Sequence, residues 1–203
     1  MTKETKRIRG HYENLPNGKT LPSVTHVIQE TLANDGLRYW YGKVGLSEAR
    51  KISSEAASFG SAMHKIVAEF LRGNEPDKTS WTEQMRNCWE VWRDWFGSQK
   101  TIFSWADSKV EQIIFNDDYA GTCDWLTGAA LFDWKFSNSL YESNRIQMGA
   151  YAHLVGAEKG YIVRVSKKEK NLEVLEMGKH ELVEAYEVFR HLLAVFNWKK
   201  KKG

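Results

Sequence analysis

The sequence predicts an α/β domain in which helices pack in layers against a sheet. Its 203 residues are enough for a single domain with a hydrophobic core. Apolar residues follow a helical spacing up to about residue 100 and then alternate in short runs that are typical of strands. One helix interrupts these strands and another follows them. Because predicted helices come before and after the run of strands in the sequence, a layered α/β architecture is favoured.

The composition is that of a globular protein, with 42% hydrophobic and 27% charged residues. No apolar run reaches the length of a transmembrane helix. The basic N-terminal segment is not followed by the apolar stretch that a secretory signal needs. We therefore expect no membrane partner and a cytoplasmic location.

Four helices are expected in the first half of the chain. Ser23 precedes an apolar run and can cap a helix that begins at about Val24. A short helix is expected over Leu37–Lys43, and a longer one ends near Arg72, where the next residue is a glycine. The fourth covers about Trp81–Gln99.

The fourth predicted helix carries bulky side chains at helical spacing, namely Trp81, Met85, Trp89, Trp92 and Trp95. The preferred interpretation is an amphipathic helix whose bulky face is buried in the core. A second interpretation, in which one or two of these rings stack on nucleotide bases, stays open.

Five strands and two helices are expected in the second half. The strands are Lys109–Phe115, Tyr119–Leu126, Ala130–Phe136, Tyr161–Ser166 and Leu172–Met177, and the helices are Tyr141–Ala157 and Glu181–Trp198. Alternation within the first strand predicts that Val110 and Ile114 share one face. Glu111 is expected on the opposite face, together with Ile113 and Phe115.

The cysteine count and the charge balance exclude several classes of protein. Cys88 and Cys123 are too few for a disulfide framework or for a zinc or iron–sulfur site with four cysteines, and we expect free, buried thiols. A net charge of +3 excludes a histone-like protein but allows a local basic channel. Basic residues gather at the chain ends, where solvated tails are the first interpretation and phosphate contacts the second: Lys3, Lys6, Arg7, Arg9 and Lys199 to Lys202.

Asp133 and Lys135 stand out within an apolar strand. Alternate strand residues share a face, so these two side chains point the same way, while Phe132 and Trp134 point the other way. An acid and a lysine in such a strand are costly unless they are paired or used. A simple charge pair at the end of a strand and a chemical site are both open at this point.

Asp124 lies in the preceding strand, and a tight turn between the two strands could bring it beside Asp133. Two close carboxylates repel each other, and a divalent cation such as Mg²⁺ or Mn²⁺ relieves that repulsion. A metal bound there could polarise a phosphodiester and activate a water. Lys135 could stabilise the charge that develops on the phosphate, or hold the attacking water.

Four other side chains are candidates whose roles the residues alone leave open. Glu111 could add a third carboxylate or simply face solvent. His64 lies one turn after Gly60 on a helix, where a metal ligand and an ordinary surface histidine are both possible. Gln147 and Tyr151 are four apart on a helix and share a face, either as boundary packing or over the site. Gly60 is unfavourable within a helix by about 1 kcal/mol, which hints at a close approach there.

In this order the motifs resemble the PD-(D/E)xK nuclease superfamily: Gly60 and His64, Glu111, Gly121-x-x-Asp124, Asp133-x-Lys135, and Gln147-x-x-x-Tyr151. The similar branch is that of RecB-type and phage exonucleases, with the mitochondrial genome maintenance exonuclease nearby. The resemblance extends from about Leu21 to Lys167. It implies a restriction-endonuclease-like core, a small mixed β-sheet flanked by helices, with a helical N-terminal half.

The resemblance also implies the roles of the site residues. His64, Asp124, Asp133 and the main-chain carbonyl of Trp134 are implied metal ligands. Lys135 is the implied catalytic lysine, and Gln147 and Tyr151 are implied to support it, with Glu111 as a further site carboxylate. The metal is Mg²⁺ or Mn²⁺, and the cysteine count rules out the iron–sulfur subtype.

The implied function is a metal-dependent DNA nuclease, in particular an exonuclease of a bacterial or phage-infected cell. Its partners would be single-stranded or duplex DNA ends and recombination or replication proteins. The whole chain, residues 1–203, would form one nuclease domain with a helical part at about 21–100, a catalytic sheet at about 108–178 and a final helix at about 181–198. Two alternatives stay open: a catalytically degenerate DNA-binding or accessory protein on the same fold, and a scaffold that docks a partner protein through the Trp-rich helix.

Overall fold

The computed structural model describes residues 4–32, 35–99, 107–128 and 130–201. Helices dominate the first half, and the second half combines five strands with two helices. In chain order the elements are β1 (Lys6–Ile8), β2 (His11–Glu13), β3 (Leu21–Pro22), α1 (Val24–Thr31), α2 (Asp35–Val44), α3 (Leu46–Leu71), α4 (Glu83–Gln99), β4 (Lys109–Phe115), β5 (Ala120–Thr127), β6 (Ala130–Phe136), α5 (Glu142–Val155), β7 (Lys159–Val165), β8 (Leu172–Gly178) and α6 (Lys179–Lys200).

A five-stranded sheet in the order β4-β5-β6-β7-β8 forms the centre of the fold. The β6–β7 pair is parallel and the other pairs are antiparallel. The parallel pair arises because α5 connects β6 to β7 and returns the chain to the same end of the sheet. The predicted α/β class, a small mixed sheet flanked by helices with a helical first half, is confirmed.

A second, three-stranded antiparallel sheet, β1-β2-β3, precedes α1 and was not predicted. It packs on the edge of the central sheet through a small core of Tyr12, Leu15 and Leu21 against Ala120. The predicted start of α1 is confirmed, because the Ser23 side chain accepts a hydrogen bond of 3.2 Å from the backbone N–H of His26.

One face of the central sheet packs on α4 and the C-terminal half of α3, and we call this region the tryptophan core. Its largest side chains are fully buried: Trp89, Trp92, Phe96, Trp125, Phe132 and Trp134. The interpretation of the Trp-rich helix as a buried face is therefore confirmed. Since Trp89 and Trp92 are occupied inside the protein, they cannot dock a partner or stack on bases, and the scaffold alternative loses its support.

The opposite face packs on α1, α5 and α6 and forms a second core around Leu131, Met148, Ile162 and Phe189. Gly149 of α5 fits closely against α6, where an added Cβ would lie 2.5 Å from the backbone nitrogen of Tyr186. The two cysteines are free and buried, as expected, with Cys88 in the tryptophan core and Cys123 in the second core.

One predicted face assignment in β4 is wrong. Ile114 packs in the second core, whereas Val110 packs against the tryptophan core on the opposite face. The alternation breaks between them at Glu111, whose φ of +51° lies in the left-handed region. A strand with such a residue no longer presents every second side chain to the same side.

None of the helices in the described ranges has the length and apolar character needed to span a bilayer. The division of the chain into one nuclease domain with the expected internal boundaries stays a prediction.

Candidate active site

A cleft of about 810 Å³ opens where β4, β5 and β6 meet α3 and α5. It receives all the side chains that were singled out for catalysis, apart from that of Trp134. Its lining consists of Arg7, Thr25, Gln29, Ala57, Gly60, Ser61, His64, Lys65, Ala68, Arg72, Glu111, Thr122, Asp124, Asp133, Lys135, Gln147 and Tyr151. Side chains separated by up to 144 positions in the sequence thus face one space.

Three of these side chains form a group that could hold a metal ion. One ligand atom from each of His64, Glu111 and Asp124 lies within 4.8 Å of the others. His64 projects from α3 across the cleft, and its Nδ1 lies 3.1 Å from Asp124 Oδ1. Its ring also contacts Phe136 edge-on, at 5.8 Å between centroids, which holds the imidazole against the sheet.

The carboxylates meet at a point where regular strand pairing fails. The β5–β6 ladder pairs Thr127 with Ala130, Leu126 with Leu131 and Trp125 with Phe132, and no described pair follows it towards Asp124. Instead, Asp124 Oδ2 accepts the backbone N–H of Trp134 at 2.6 Å. A carboxylate thus satisfies a buried donor that a strand carbonyl would otherwise take.

On the other side of β5 the ladder is interrupted as well. The β4–β5 register pairs Val110 with Trp125 and Gln112 with Cys123, so that Glu111 stands opposite Asp124. Residues that face each other across an antiparallel pair bring their side chains close together. The left-handed backbone of Glu111 costs on the order of 1–3 kcal/mol, and such strain is concentrated at functional sites.

Lys135 is held by two neighbours. Its Nζ lies 2.6 Å from Asp133 Oδ2 and donates to Gln147 Oε1 at 3.2 Å. Gln147 Nε2 in turn donates to Asp133 Oδ1 at 3.2 Å. This closed network fixes the ammonium at the wall of the cleft, with about a fifth of its side chain exposed.

The arrangement of the two aspartates differs from the expected one. Both oxygens of Asp133 are engaged by Lys135 and Gln147, and Asp133 is not part of the group formed by His64, Glu111 and Asp124. Glu111 is the second carboxylate of that group, although the sequence alone left open whether it belongs to the site or faces solvent. The roles of Asp133 and of the Trp134 carbonyl as metal ligands stay predictions.

The electrostatics of the group disfavour two free negative charges. Burial, and then the nearby Asp124 carboxylate, raise the pKa of Glu111 to about 7. Burial lowers the pKa of His64, but its charge contact and hydrogen bond with Asp124 outweigh this and leave that pKa raised. Burial also raises the pKa of Asp133, and Lys135 opposes that rise. Burial and the neighbouring carboxylates thus disfavour negative charge in this group, and a cation would offset that penalty.

Tyr151 closes the cleft from α5. Burial raises the pKa of its hydroxyl well above the usual value, so the group stays protonated. Its ring lies directly on Gly121, where an added Cβ would come within 2.3 Å of Tyr151 Cε1. Gly121 is required at this position because only a residue without a side chain leaves space for the ring.

Gly60 plays a different part from the one expected. Apart from its two chain neighbours and the nearby backbone of its own helix, no described protein atom lies within 4 Å of the position that a Cβ would occupy at Gly60. Since Gly60 lines the cleft, its missing side chain widens that space rather than admitting a neighbouring element.

Sequence reasoning did not assign Lys65 or Arg72 to the site, and it left Arg7 open between a solvated tail and a phosphate contact. Arg7 belongs to the N-terminal basic segment, yet its guanidinium donates to the hydroxyls of Ser23 and Thr25 at 3.2 and 2.5 Å. Lys65 follows His64 on α3, Arg72 is the C-cap residue of that helix, and both line the cleft. The helical spacing of these two residues was a usable signal, whereas the place of Arg7 depends on the unpredicted small sheet.

No protein-family model matches the chain, and no curated protein sequence matches it. Some solved structures share part of its backbone arrangement. The protein SSO0001 is 16% identical, with a TM-score of 0.43 over 88% of this chain and 80% of the other. An alkaline exonuclease, LHK-Exo from Laribacter hongkongensis, is 14% identical, with a TM-score of 0.39 over 70% and 83%. A phage-related exonuclease from Haemophilus somnus 129PT is 13% identical, with a TM-score of 0.37 over 66% and 77%. At this degree of overlap, function has to be inferred from the chain's own residues.

Proposed function

We propose that this protein is a divalent-metal-dependent nuclease that hydrolyses phosphodiester bonds in DNA. The observation that carries the proposal is the meeting of His64, Glu111 and Asp124 within 4.8 Å of one another, in the same cleft as Lys135. Two carboxylates and an imidazole are ligands that Mn²⁺ and Mg²⁺ sites use. The ordered motifs that resemble PD-(D/E)xK nucleases add support.

The charge state of the group fits a divalent cation. Glu111 has a pKa of about 7 because burial and the Asp124 carboxylate disfavour its charge. A bound cation would offset that penalty. We propose that His64, Glu111 and Asp124 hold the ion, with Asp133 and the Trp134 carbonyl as further ligands. When bound, such an ion polarises a phosphate oxygen and lowers the pKa of a water.

Lys135 supplies the fixed positive charge. An ammonium has three donors. Lys135 Nζ donates to Gln147 Oε1 and forms an ion pair with Asp133 Oδ2. Its remaining donor capacity would serve a phosphate oxygen or hold the attacking water. Because Asp133 and Gln147 fix Nζ in advance, little reorganisation is needed as charge develops on the phosphate.

The wall of the cleft suits a polyanionic strand. Arg7, Lys65 and Arg72 line it, and phosphates are the groups of nucleic acids that arginine and lysine bind most often. Arg7 is pre-oriented by the Ser23 and Thr25 hydroxyls, which reduces the entropy lost on contact. Action on DNA ends, as an exonuclease, is proposed from the family resemblance.

The test is cleavage of end-labelled single-stranded, duplex and nicked DNA with Mn²⁺ or Mg²⁺, and with EDTA. We expect metal-dependent cleavage that Lys135→Met lowers by about 10²–10³-fold, the usual loss when one stabilising donor is removed. Lys109→Met, at the exposed start of β4, is the matched control and should cleave like the wild type. A wild-type protein that cleaves none of these substrates with any metal contradicts the proposal. Blocked 5′ or 3′ ends then separate exonuclease from endonuclease action.

A further inference from the structure

A groove adjoins the cleft between α2, α3 and the start of α5. One part, of about 660 Å³, is lined by Gly36, Leu37, Trp40, Ile52, Ser53, Ala56, Asn138, Tyr141 and Ser143. A second part, of about 440 Å³, shares Leu37, Tyr141 and Ser143 with the first. We call the two parts together the aromatic groove.

The aromatic groove is continuous with the catalytic cleft. Gln29 of α1 lines both of them. On α3, Ala56 lines the groove and the next residue, Ala57, lines the cleft. On α5, Ser143 of the groove lies one turn before Gln147 of the cleft. A strand that leaves the cleft past any of these points therefore enters the groove.

The chemistry of the groove differs from that of the cleft. Among the described residues, the larger part has no charged side chain in its lining and the smaller part has one, Glu142, whereas the cleft carries the basic Arg7, Lys65, Arg72 and Lys135. Tyr141 is 60% exposed, so its ring is open to a ligand in the groove. Ser53, Asn138 and Ser143 add donors and acceptors among the apolar groups.

We infer that the aromatic groove binds the unpaired bases of a DNA strand whose phosphates lie in the cleft. This inference rests on the proposed nuclease function and specifies its substrate as a strand with unpaired bases next to the cleavage site. Bases present flat apolar faces to stack on rings such as Trp40 and Tyr141, and polar edges for hydroxyls and amides. Basic side chains for phosphates, beside a wall in which aromatic, apolar and neutral polar groups predominate, match a single strand.

The test uses fluorescence anisotropy in EDTA, where no cleavage occurs, with two single-stranded oligonucleotides of equal length. One carries bases, and the other is abasic and keeps the same phosphates. We expect the wild type to bind the base-containing strand about tenfold more tightly, since base stacking on one ring has an effect of about this size. Tyr141→Ala and Trp40→Ala should reduce this preference, and Tyr141→Phe should retain it.

Tyr39→Ala is the matched control, because Tyr39 lies next to Trp40 on α2, is 73% exposed and does not line the groove. It should keep the full preference for bases. Equal wild-type affinity for the two oligonucleotides, or a preference that survives both alanine variants, overturns the inference. If the wild type still cleaves DNA with Mn²⁺ in that case, the proposed function stands. If it neither binds nor cleaves any DNA, both fail.

Discussion

The two sides of β6 show how differently one strand can be used. Phe132 and Trp134 are buried on the side of the tryptophan core, stacked among other rings. Asp133 and Lys135 point to the other side and form an ion pair at the wall of the cleft. The aromatic side has the close packing that stabilises a fold. The charged side requires desolvation and gains little stability from its ion pair.

Removing a ring from the tryptophan core should have the greatest effect on stability. Trp92 is fully buried and contacts Trp89, Phe96 and Trp134. Trp92→Ala should lower the free energy of unfolding by about 3–5 kcal/mol because it leaves a large cavity. Urea unfolding measures this. Trp198→Ala, at a 58% exposed ring, is the control and should cost less than about 1 kcal/mol. Equal losses would contradict the distinction between core and surface rings.

Disrupting the charged side should affect catalysis. Gln147→Leu removes the acceptor of Lys135 and the donor to Asp133 while keeping a similar side-chain volume. We expect cleavage to fall by about 10–100-fold, as is usual when a group that orients catalytic side chains is lost. Circular dichroism should show a folded protein at the assay temperature. Gln112→Leu, at an exposed position of β4, is the control. Unchanged cleavage by Gln147→Leu would show that the network has no part in catalysis.

Gly121 tests whether the cleft tolerates a small change in shape. An added methyl group would overlap Tyr151, whose ring is buried and cannot move freely. Gly121→Ala should lower the free energy of unfolding by about 1–3 kcal/mol through overpacking. Gly60→Ala, which places a methyl group in open space on the same cleft, should be neutral or slightly stabilising because alanine favours the helix. Thermal unfolding of both variants measures the difference. A Gly60→Ala variant less stable than Gly121→Ala would contradict the prediction.

Glu111→Gln tests whether the charge of Glu111 lowers the stability of the metal-free protein. At pH 8, above its pKa of about 7, Glu111 is charged beside Asp124 in a half-buried position. Glutamine removes that charge at nearly constant shape. We expect metal-free Glu111→Gln to be at least as stable as the wild type in urea, by up to about 1 kcal/mol, while Mn²⁺-dependent cleavage falls. A clear loss of metal-free stability would instead assign Glu111 a structural role.

Much of the fold was predictable because local patterns determine it. The bounds of β4 and β6 agree with the predicted ones, and Ser23 caps α1 as expected. These features depend on alternation and capping, which involve neighbours in the sequence. The small sheet β1-β2-β3 was missed because its strands have only two or three residues and are stabilised by contacts with distant parts of the chain.

The membership of the site was also largely predictable, but its geometry was not. Asp133 and Lys135 share a side of their strand because of simple alternation. The position of Glu111 depends on a left-handed backbone in β4, and that of Arg7 depends on the small sheet. No local sequence pattern predicts the left-handed backbone at Glu111 or the small sheet that positions Arg7. The resemblance to a nuclease family therefore indicated which residues are candidates for the site, and the structure shows which of these candidates contact one another.

The most direct test of the account is the binding of Mn²⁺ to the protein, followed by electron paramagnetic resonance or calorimetry in the absence of DNA. The account predicts a bound ion whose affinity falls at least tenfold in Asp124→Asn and in His64→Ala. Asp118→Asn, in the exposed turn between β4 and β5, should bind like the wild type. The absence of a bound ion, or an Mn²⁺ affinity that is unchanged in Asp124→Asn and His64→Ala, would contradict the claim that this cleft is a metal-dependent catalytic site.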